Sequence, residues 1–157
     1  MAQEYRIEKQ AERVFLLLRE MDTKELWEGE VFFHEHAEFH SGPPLLEEFL
    51  NASAPFFPLH TADRGFCLIN KENIIYIKCH IEAENPYEAL GIEPNLVKVY
   101  FKEHHYLEGF IYPELPEDRR RPLDFFNQGI KFLPLFQGDQ KVVMNTHHIL
   151  HIQDSKT

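Results

Sequence analysis

The chain has 157 residues, and its 43% hydrophobic and 27% charged content is typical of a folded protein rather than a disordered one. The formal net charge of −10 disfavours general binding to nucleic acids or to anionic membrane surfaces, because like charges repel. With Cys67 and Cys79 as the two cysteines, we predict no disulfide framework and a cytoplasmic location, and the apolar run at 14–18 is too short to span a membrane.

The first part of the chain predicts a succession of short strands. Strands are expected at "VFLLL" from Val14 and at "LWEGEVFF" (26–33), and a closing hairpin is expected at "LINKENIIYI" (68–77). Gly29 stands inside the second of these strands. A glycine at such a place indicates a sharp bend or a bulge in a small sheet.

Between these strands, the stretch "LLEEFLNASAPFFPL" (45–59) predicts a short amphipathic helix. Asn51 is expected to end the helix, because asparagine adopts the left-handed conformation at little cost. Phe56 and Leu59 are expected to return to the core after the helix. We therefore expect this stretch, which we call a plug segment, to pack inside the sheet around it.

The same plan occurs a second time. "PLDFFNQGIKFLPL" (122–135) repeats the helical stretch, with Asn127 on Asn51 and Phe132 on Phe56. The flanking blocks keep their order, since "VKVYF" from Val97, "YLEGFIY" (106–112) with Gly109, and "VMNTHHILHI" (143–152) match the blocks of the first part. Unrelated segments as long as the helical stretch share about one identity by chance, so we interpret the pattern as a duplication.

The predicted fold class is therefore all-β with short helical turns. We expect two tandem small β-barrel or sheet repeats, at 13–82 and 97–153, packed as a pseudo-two-fold pair, because a unit this small is marginal by itself. The connector 83–96 contains two prolines and one glycine, as a linker does, and its "PYEALG" predicts a single helical turn ended by Gly91.

The repeated blocks resemble a bacterial domain of unknown function with the pattern R-L-x-D-x-L-N, F-L-x-L and N-K-x-x-I. In the second copy the matching residues are Arg121, Asp124, Asn127, Phe132, Leu135, Asn145 and Ile149. The first copy departs from the pattern by having Leu45 and Glu48 where the arginine and the aspartate stand. More loosely, the succession of hairpin, glycine-bent strand and closing hairpin is similar to Sm-like or SH3-like small barrels. The resemblance implies a fold and no activity.

One histidine cluster suggests metal binding. In "HEHAEFH", the residues His34, His36 and His40 share one face if the strand continues, and imidazoles are ligands for zinc or another divalent transition metal. The second copy has no histidine in the corresponding "ELPEDRR", which favours a solvated surface instead. Histidines 104, 105, 147, 148 and 151 are likewise expected on the surface.

The sequence does not favour an enzyme, because no nucleophile elbow or phosphate loop is present. We expect a non-catalytic binding or scaffolding module that contacts a protein or a small ligand near the groove between the repeats. The candidate contact residues are the shared acid and asparagine with one arginine: Glu48, Asn51, Arg121, Asp124 and Asn127. Metal binding is the alternative function, metal-dependent hydrolysis ranks after it, and pairing of exposed edge strands into a homo-oligomer stays open.

Overall fold

The computed structural model describes residues 10–19, 26–33, 45–81, 85–102 and 105–155. These residues form mostly β structure, so the all-β prediction with short helical turns is confirmed. The strands are β1 (Gln10–Leu18), β2 (Trp27–Phe33), β3 (Phe56–Thr61), β4 (Gly65–Asn70), β5 (Ile74–His80), β6 (Asn95–Phe101), β7 (His105–Ile111), β8 (Phe132–Gln137), β9 (Gln140–Asn145) and β10 (Ile149–Asp154). The helices are α1 (Leu46–Asn51), α2 (Pro86–Ala89) and α3 (Pro122–Phe126).

The described strands form one antiparallel sheet in the order β10-β6-β7-β8-β9-β5-β1-β2-β3-β4. Strands β1–β5 (the first half) and β6–β10 (the second half) are joined where β5 pairs with β9. Over the described ranges, the edge strands β10 and β4 do not pair with each other, so the sheet is not closed. The predicted pseudo-two-fold pair of small barrels is therefore not confirmed.

The strand order inside one half equals the order inside the other, with β5-β1-β2-β3-β4 beside β10-β6-β7-β8-β9. The residue registers also coincide, since Val14 faces Gly29 in the first half and Val97 faces Gly109 in the second. A register shift occurs in β1 between Leu17 and Leu18, and the β6–β10 pair has its own shift at the matching place in the strand. Positions can therefore be compared strand by strand between the halves.

The two strand glycines allow neighbouring strands to approach each other. The sequence predicts a sharp bend or a bulge at these positions, and of the two the bulge is absent, because the β1–β2 and β6–β7 registers run through Gly29 and Gly109 without a shift. A Cβ on Gly29 would lie 2.8 Å from the Leu59 side chain, and a Cβ on Gly109 would lie 2.7 Å from the Phe136 carbonyl oxygen. These glycines are needed for close packing of β2 on β3 and of β7 on β8.

Two apolar cores meet at the β5–β9 junction. Ile77 of β5 and Val143 of β9 belong to the core of the first half, whereas Tyr76 and Met144, their strand neighbours, belong to the core of the second half. Because alternate side chains of a strand point to opposite faces, each junction strand contributes to both cores. The halves are thus connected by packing as well as by backbone hydrogen bonds.

Two details of the plug segments differ from the predictions. Leu59, Phe132 and Leu135 are buried as expected, but Phe56 is 51% exposed and Phe57 takes its place in the core. Phe132 is buried because it packs in the core of the other half. Asn127 follows α3 as expected, yet its φ of −102° is not left-handed. In the connector, α2 forms the predicted helical turn, and Gly91 follows at a φ of +72°.

Candidate functional site

The histidine cluster proposed as a metal site, His34, His36 and His40, lies outside the described residues. Within the ranges that the structure describes, no group of three or more histidine, cysteine, aspartate or glutamate side chains is placed to hold a metal ion. His105 and His148 lie inside those ranges and depart from the expected surface position, since His105 is half-buried and His148 is buried.

Arg121 and Asp124 pair across the first turn of α3. The Arg121 Nε donates to Asp124 Oδ2 at 2.9 Å, and the Arg121 backbone N–H donates to the same oxygen at 3.2 Å. Hydrogen bonding to the guanidinium holds the pKa of Asp124 below its ordinary value. The pair therefore caps the helix start, while 67% of the Arg121 side chain stays exposed.

Asn51, the counterpart of Asn127, ties α1 to the second half of the chain. Its Nδ2 donates to the Phe132 carbonyl oxygen at 2.9 Å, and its Oδ1 accepts from the Phe132 backbone N–H at 2.9 Å. Glu48 lies one turn earlier on α1 and is half-buried. The structure thus places Glu48 and Asn51 on α1, Asp124 on α3, and Arg121 and Asn127 at the two ends of α3. Asn51 bridges the junction.

A buried ion pair reinforces the same junction. Lys141 Nζ of β9 donates to Glu47 Oε1 of α1 at 2.7 Å, and both side chains are about nine-tenths buried. Burial opposes the charge of Lys141, but the facing Glu47 carboxylate outweighs it, and the pKa of Lys141 is raised. Leaving either charge without its partner would be costly at this depth.

Between the halves there is also an open cleft of about 290 Å³, which we call the inter-half cleft. It lies beside the 3₁₀ turns Lys71–Asn73 and Thr146–His148, which precede the last strand of each half. The residues that line it come from both halves: Arg19, Glu72, Asn73, Lys102, His147 and His148. Because the two 3₁₀ turns occupy matching places in the two halves, the cleft faces equivalent elements on either side.

Glu72 organises the contacts across the inter-half cleft. It pairs with Lys131, its Oε2 lies 3.7 Å from His147 Nδ1, and its carbonyl oxygen lies 2.6 Å from His148 Nε2. The hydrogen bond from Lys131 is the main reason why the pKa of Glu72 is lowered. This carboxylate is therefore already engaged by the ammonium group of Lys131 from the second half.

Among the described residues that line the inter-half cleft, Arg19 and Lys102 carry positive charges. Lys102 Nζ donates to the His147 carbonyl oxygen at 2.8 Å, and both Lys102 and Arg19 are exposed residues of the lining. Lys71, which begins the adjoining 3₁₀ turn, is buried, and its Nζ donates to the carbonyl oxygens of Phe49 and Ala52 at 3.2 and 3.1 Å. A concentration of cations in a chain with a net charge of −10 is the electrostatic feature that an anion would recognise.

Two other concave surfaces have different chemistry. One of about 470 Å³ is lined by the aromatic residues Phe110, Tyr112 and Phe136 and by the acids Glu88 and Asp139. The other, of about 580 Å³, carries the Arg64 guanidinium 4.0 Å above the Trp27 ring and carboxylates as well as arginines. Neither collects cations from both halves as the inter-half cleft does.

The sequence pattern missed the residues of the inter-half cleft and of the buried pair. Arg19, Glu72 and Lys102 are far apart along the chain, and no spacing connects them. Glu47 and Lys141 stand among residues that read as a helix surface and a strand. The recurrence of the asparagine at 51 and 127 was the available signal, because it marked a side chain with a role beyond helix formation.

No family model, curated protein or solved structure matches the chain. Among the described helices, none combines the length and apolar character that crossing a membrane requires. The function is therefore argued from the geometry of the site.

Proposed function

We propose that this protein is a non-catalytic binding module that holds a small anionic ligand in the inter-half cleft. The observation that carries the proposal is the lining of the cleft, to which Arg19 of the first half and Lys102 of the second both contribute. The carboxylate of Glu72 at this place is engaged by Lys131, so it competes little with an incoming anion. A carboxylate or phosphate group fits this environment because it accepts charge-assisted hydrogen bonds.

A finer description of the fold belongs to the same proposal. We infer that the halves are copies of one five-stranded unit, similar to an SH3-like or Sm-like small barrel, with 83–96 as the linker. Matching strand order and matching registers support this inference. A cytoplasmic location is part of the proposal as well, and it is supported by Cys67 and Cys79, which are free thiols.

The test is calorimetric titration of the full chain with inorganic phosphate and with citrate at low ionic strength. We expect saturable binding that weakens as salt is added, because the contacts are charge-assisted. Hydrogen bonds to charged groups contribute about 1.5–3 kcal/mol, so Lys102→Ala and Arg19→Ala should each weaken binding about 10-fold or more.

Lys98→Ala is the matched control, because Lys98 lies on β6, four residues before Lys102, and pairs with Glu108, which is not part of the cleft lining. It should leave the affinity unchanged. Absence of binding at millimolar phosphate and citrate would reject the proposal, and so would an equal loss of affinity in the Lys98 variant.

A further inference from the structure

The two edges of the sheet correspond to the two strands that meet at the internal junction. β4 is the counterpart of β9, and β10 is the counterpart of β5, by strand order and register. At the junction, β9 and β5 are covered by each other. At the edges of the described sheet, β4 and β10 each have a neighbour on one side.

Side chains buried at the junction have exposed apolar counterparts at the edges. Val143 on β9 is 0% exposed, whereas Leu68, at the same place on β4, is 63% exposed. Ile75 on β5 is 0% exposed, whereas Leu150, at the same place on β10, is 65% exposed. Large apolar side chains at uncovered sheet edges mark a contact surface rather than a solvated one.

The buried ion pair of the junction also has an apolar counterpart. Glu47 and Lys141 correspond to Leu123 on α3 and Phe66 on β4, which are 62% and 60% exposed. Both positions of the pair differ between the junction and the edges: an acid faces a base at the junction, and a leucine and a phenylalanine stand at the matching places on the edges. This joint change is expected if Leu123 of one chain packs on Phe66 of another, because either combination is complementary and a mixed one is not.

The asparagine completes the correspondence. Asn51 binds the backbone of Phe132 at the start of β8, and its counterpart Asn127 has no hydrogen bond from its side chain to the rest of the described chain. The counterpart of Phe132 is Phe56, whose side chain is 51% exposed at the start of β3. The Asn127 side chain and the backbone of Phe56, which correspond to the hydrogen-bonded Asn51 and Phe132, thus lie toward opposite edges of the same sheet.

We propose that copies of this chain associate head to tail, with β10 and α3 of one chain docked on β3 and β4 of the next. The junction registers Tyr76–Met144, Ile77–Val143 and Lys78–Val142 set the intermolecular register. Applied to the counterparts, they place His151 opposite Ile69, Ile152 opposite Leu68 and Gln153 opposite Cys67. The partner is a second copy of this chain, because it carries the complementary edge.

This contact is heterologous, so it propagates. Each chain uses one edge to bind the next copy and keeps the other edge available, and the assembly is either a closed ring or an open filament. The inference rests on the proposed equivalence of the two halves and is independent of the anion proposed for the inter-half cleft. Phosphate binding by a protein that stays monomeric would support the anion-binding proposal alone. Assembly without phosphate binding would support head-to-tail association alone.

The first test is sedimentation velocity of the wild-type chain and of the variants Leu68→Lys and Leu150→Lys. The wild type should form assemblies larger than a dimer as its concentration rises, and each variant alone should be monomeric. An equimolar mixture of the two should form a heterodimer and stop there, because the Leu68 variant keeps an intact β10 edge and the Leu150 variant an intact β4 edge. Leu90→Lys is the control, since Leu90 is 64% exposed outside both edges, and it should assemble like the wild type.

The second test is covalent and uses the native thiol of Cys67. In Gln153→Cys, mild oxidation should produce a ladder of disulfide-linked chains, and the added change Cys67→Ser should abolish the ladder. A wild type that stays monomeric up to millimolar concentration without a ladder would overturn the proposal. So would a dimer that is disrupted by Leu68→Lys but not by Leu150→Lys, because such a dimer pairs β4 with β4.

Discussion

Asn51 at the end of α1 makes two hydrogen bonds of 2.9 Å to the backbone of Phe132, 81 residues further along the chain. One amide side chain thus serves as donor and acceptor for a single residue at the start of β8. The counterpart Asn127 lies on the surface, without a side-chain hydrogen bond in the part of the chain that the structure describes. Asparagines at matching places in the two halves therefore have different roles, because the backbone of Phe132 lies beside Asn51 and not beside Asn127.

This difference predicts unequal effects of the same substitution. Asn51→Ala should destabilise the protein by about 1–3 kcal/mol, because the Phe132 N–H and C=O lose their partners in a partly buried place. Asn127→Ala should change the stability of the dilute monomer by less than about 0.5 kcal/mol. Urea unfolding monitored by circular dichroism measures both. Equal losses in the two variants would contradict the assigned role of Asn51.

The buried pair Glu47–Lys141 gives a second prediction. Lys141→Met should cost about 3–5 kcal/mol, because Glu47 is left buried without a partner charge. The double variant Glu47→Leu with Lys141→Phe copies Leu123 and Phe66, and it should equal or exceed the wild type in stability by up to about 4 kcal/mol.

The same unfolding experiment includes Lys98→Ala as its control. The pair Lys98–Glu108 is exposed, with 3.9 Å between Nζ and Oε2, and its loss should cost about 0–1 kcal/mol. If the double variant were as unstable as Lys141→Met, packing rather than charge pairing would dominate at the junction.

His105 predicts a dependence of stability on pH. Its Nε2 lies 2.9 Å from the Tyr76 hydroxyl, and burial first, then the charge of Lys78, lower the pKa of His105 below 6.5. The unfolded chain therefore binds a proton at His105 at a higher pH than the folded chain does. The contribution of neutral His105 to the free energy of unfolding should be fully present above pH 6.5. It should be lost as the pH decreases from 6.5 through the pKa of His105 in the folded protein.

His105→Gln should reduce this loss of stability, measured as the urea midpoint between pH 8 and pH 5. NMR titration of the imidazole Cε1–H of His105 measures the pKa in the folded protein directly. A value at or above 6.5 would show that the imidazole is not disfavoured in its charged form.

Metal binding by His34, His36 and His40 stays a prediction that solution measurements can test. Under the proposed anion-binding function, native mass spectrometry should give the same protein mass before and after treatment with a chelator. A mass excess of one metal ion that the chelator removes, and that is absent from His36→Ala, would instead favour the metal-binding alternative. The Lys98→Ala protein serves as the control for nonspecific metal adducts.

Local patterns predicted much of the architecture. The block "VKVYF" from Val97, the helical stretch before Asn51 and the turn ended by Gly91 are confirmed as a strand, a helix and a helical turn. The Arg121–Asp124 contact was also predictable, because three residues along a helix bring two side chains together. Each of these features depends on neighbours within about one turn or one hairpin.

The burial of repeated positions was not predictable in the same way. Phe56 and Phe132 have similar sequence surroundings, yet Phe56 is 51% exposed and Phe132 is 1% exposed. The difference arises because Phe132 packs in the core of the first half, whereas Phe56 starts a strand next to the sheet edge. A sequence shows that a residue is apolar but does not show which neighbour covers it.

By itself, the sequence determined many of the elements and their order, since periodicity, glycine positions and helix-ending residues act over short distances along the chain. It did not show that 56–61 and 132–137 are strands, and the stretch 68–77, expected to form a hairpin, instead contributes to β4 and β5, which do not pair with each other. The tertiary structure alone decided that β5 pairs with β9 to make one continuous sheet. That pairing buries Glu47 against Lys141, brings Arg19 and Lys102 to one cleft, and leaves β4 and β10 as edges. Such contacts join segments that are distant in sequence, and their stability depends on the combined burial and charge pairing of both partners, which no local pattern encodes.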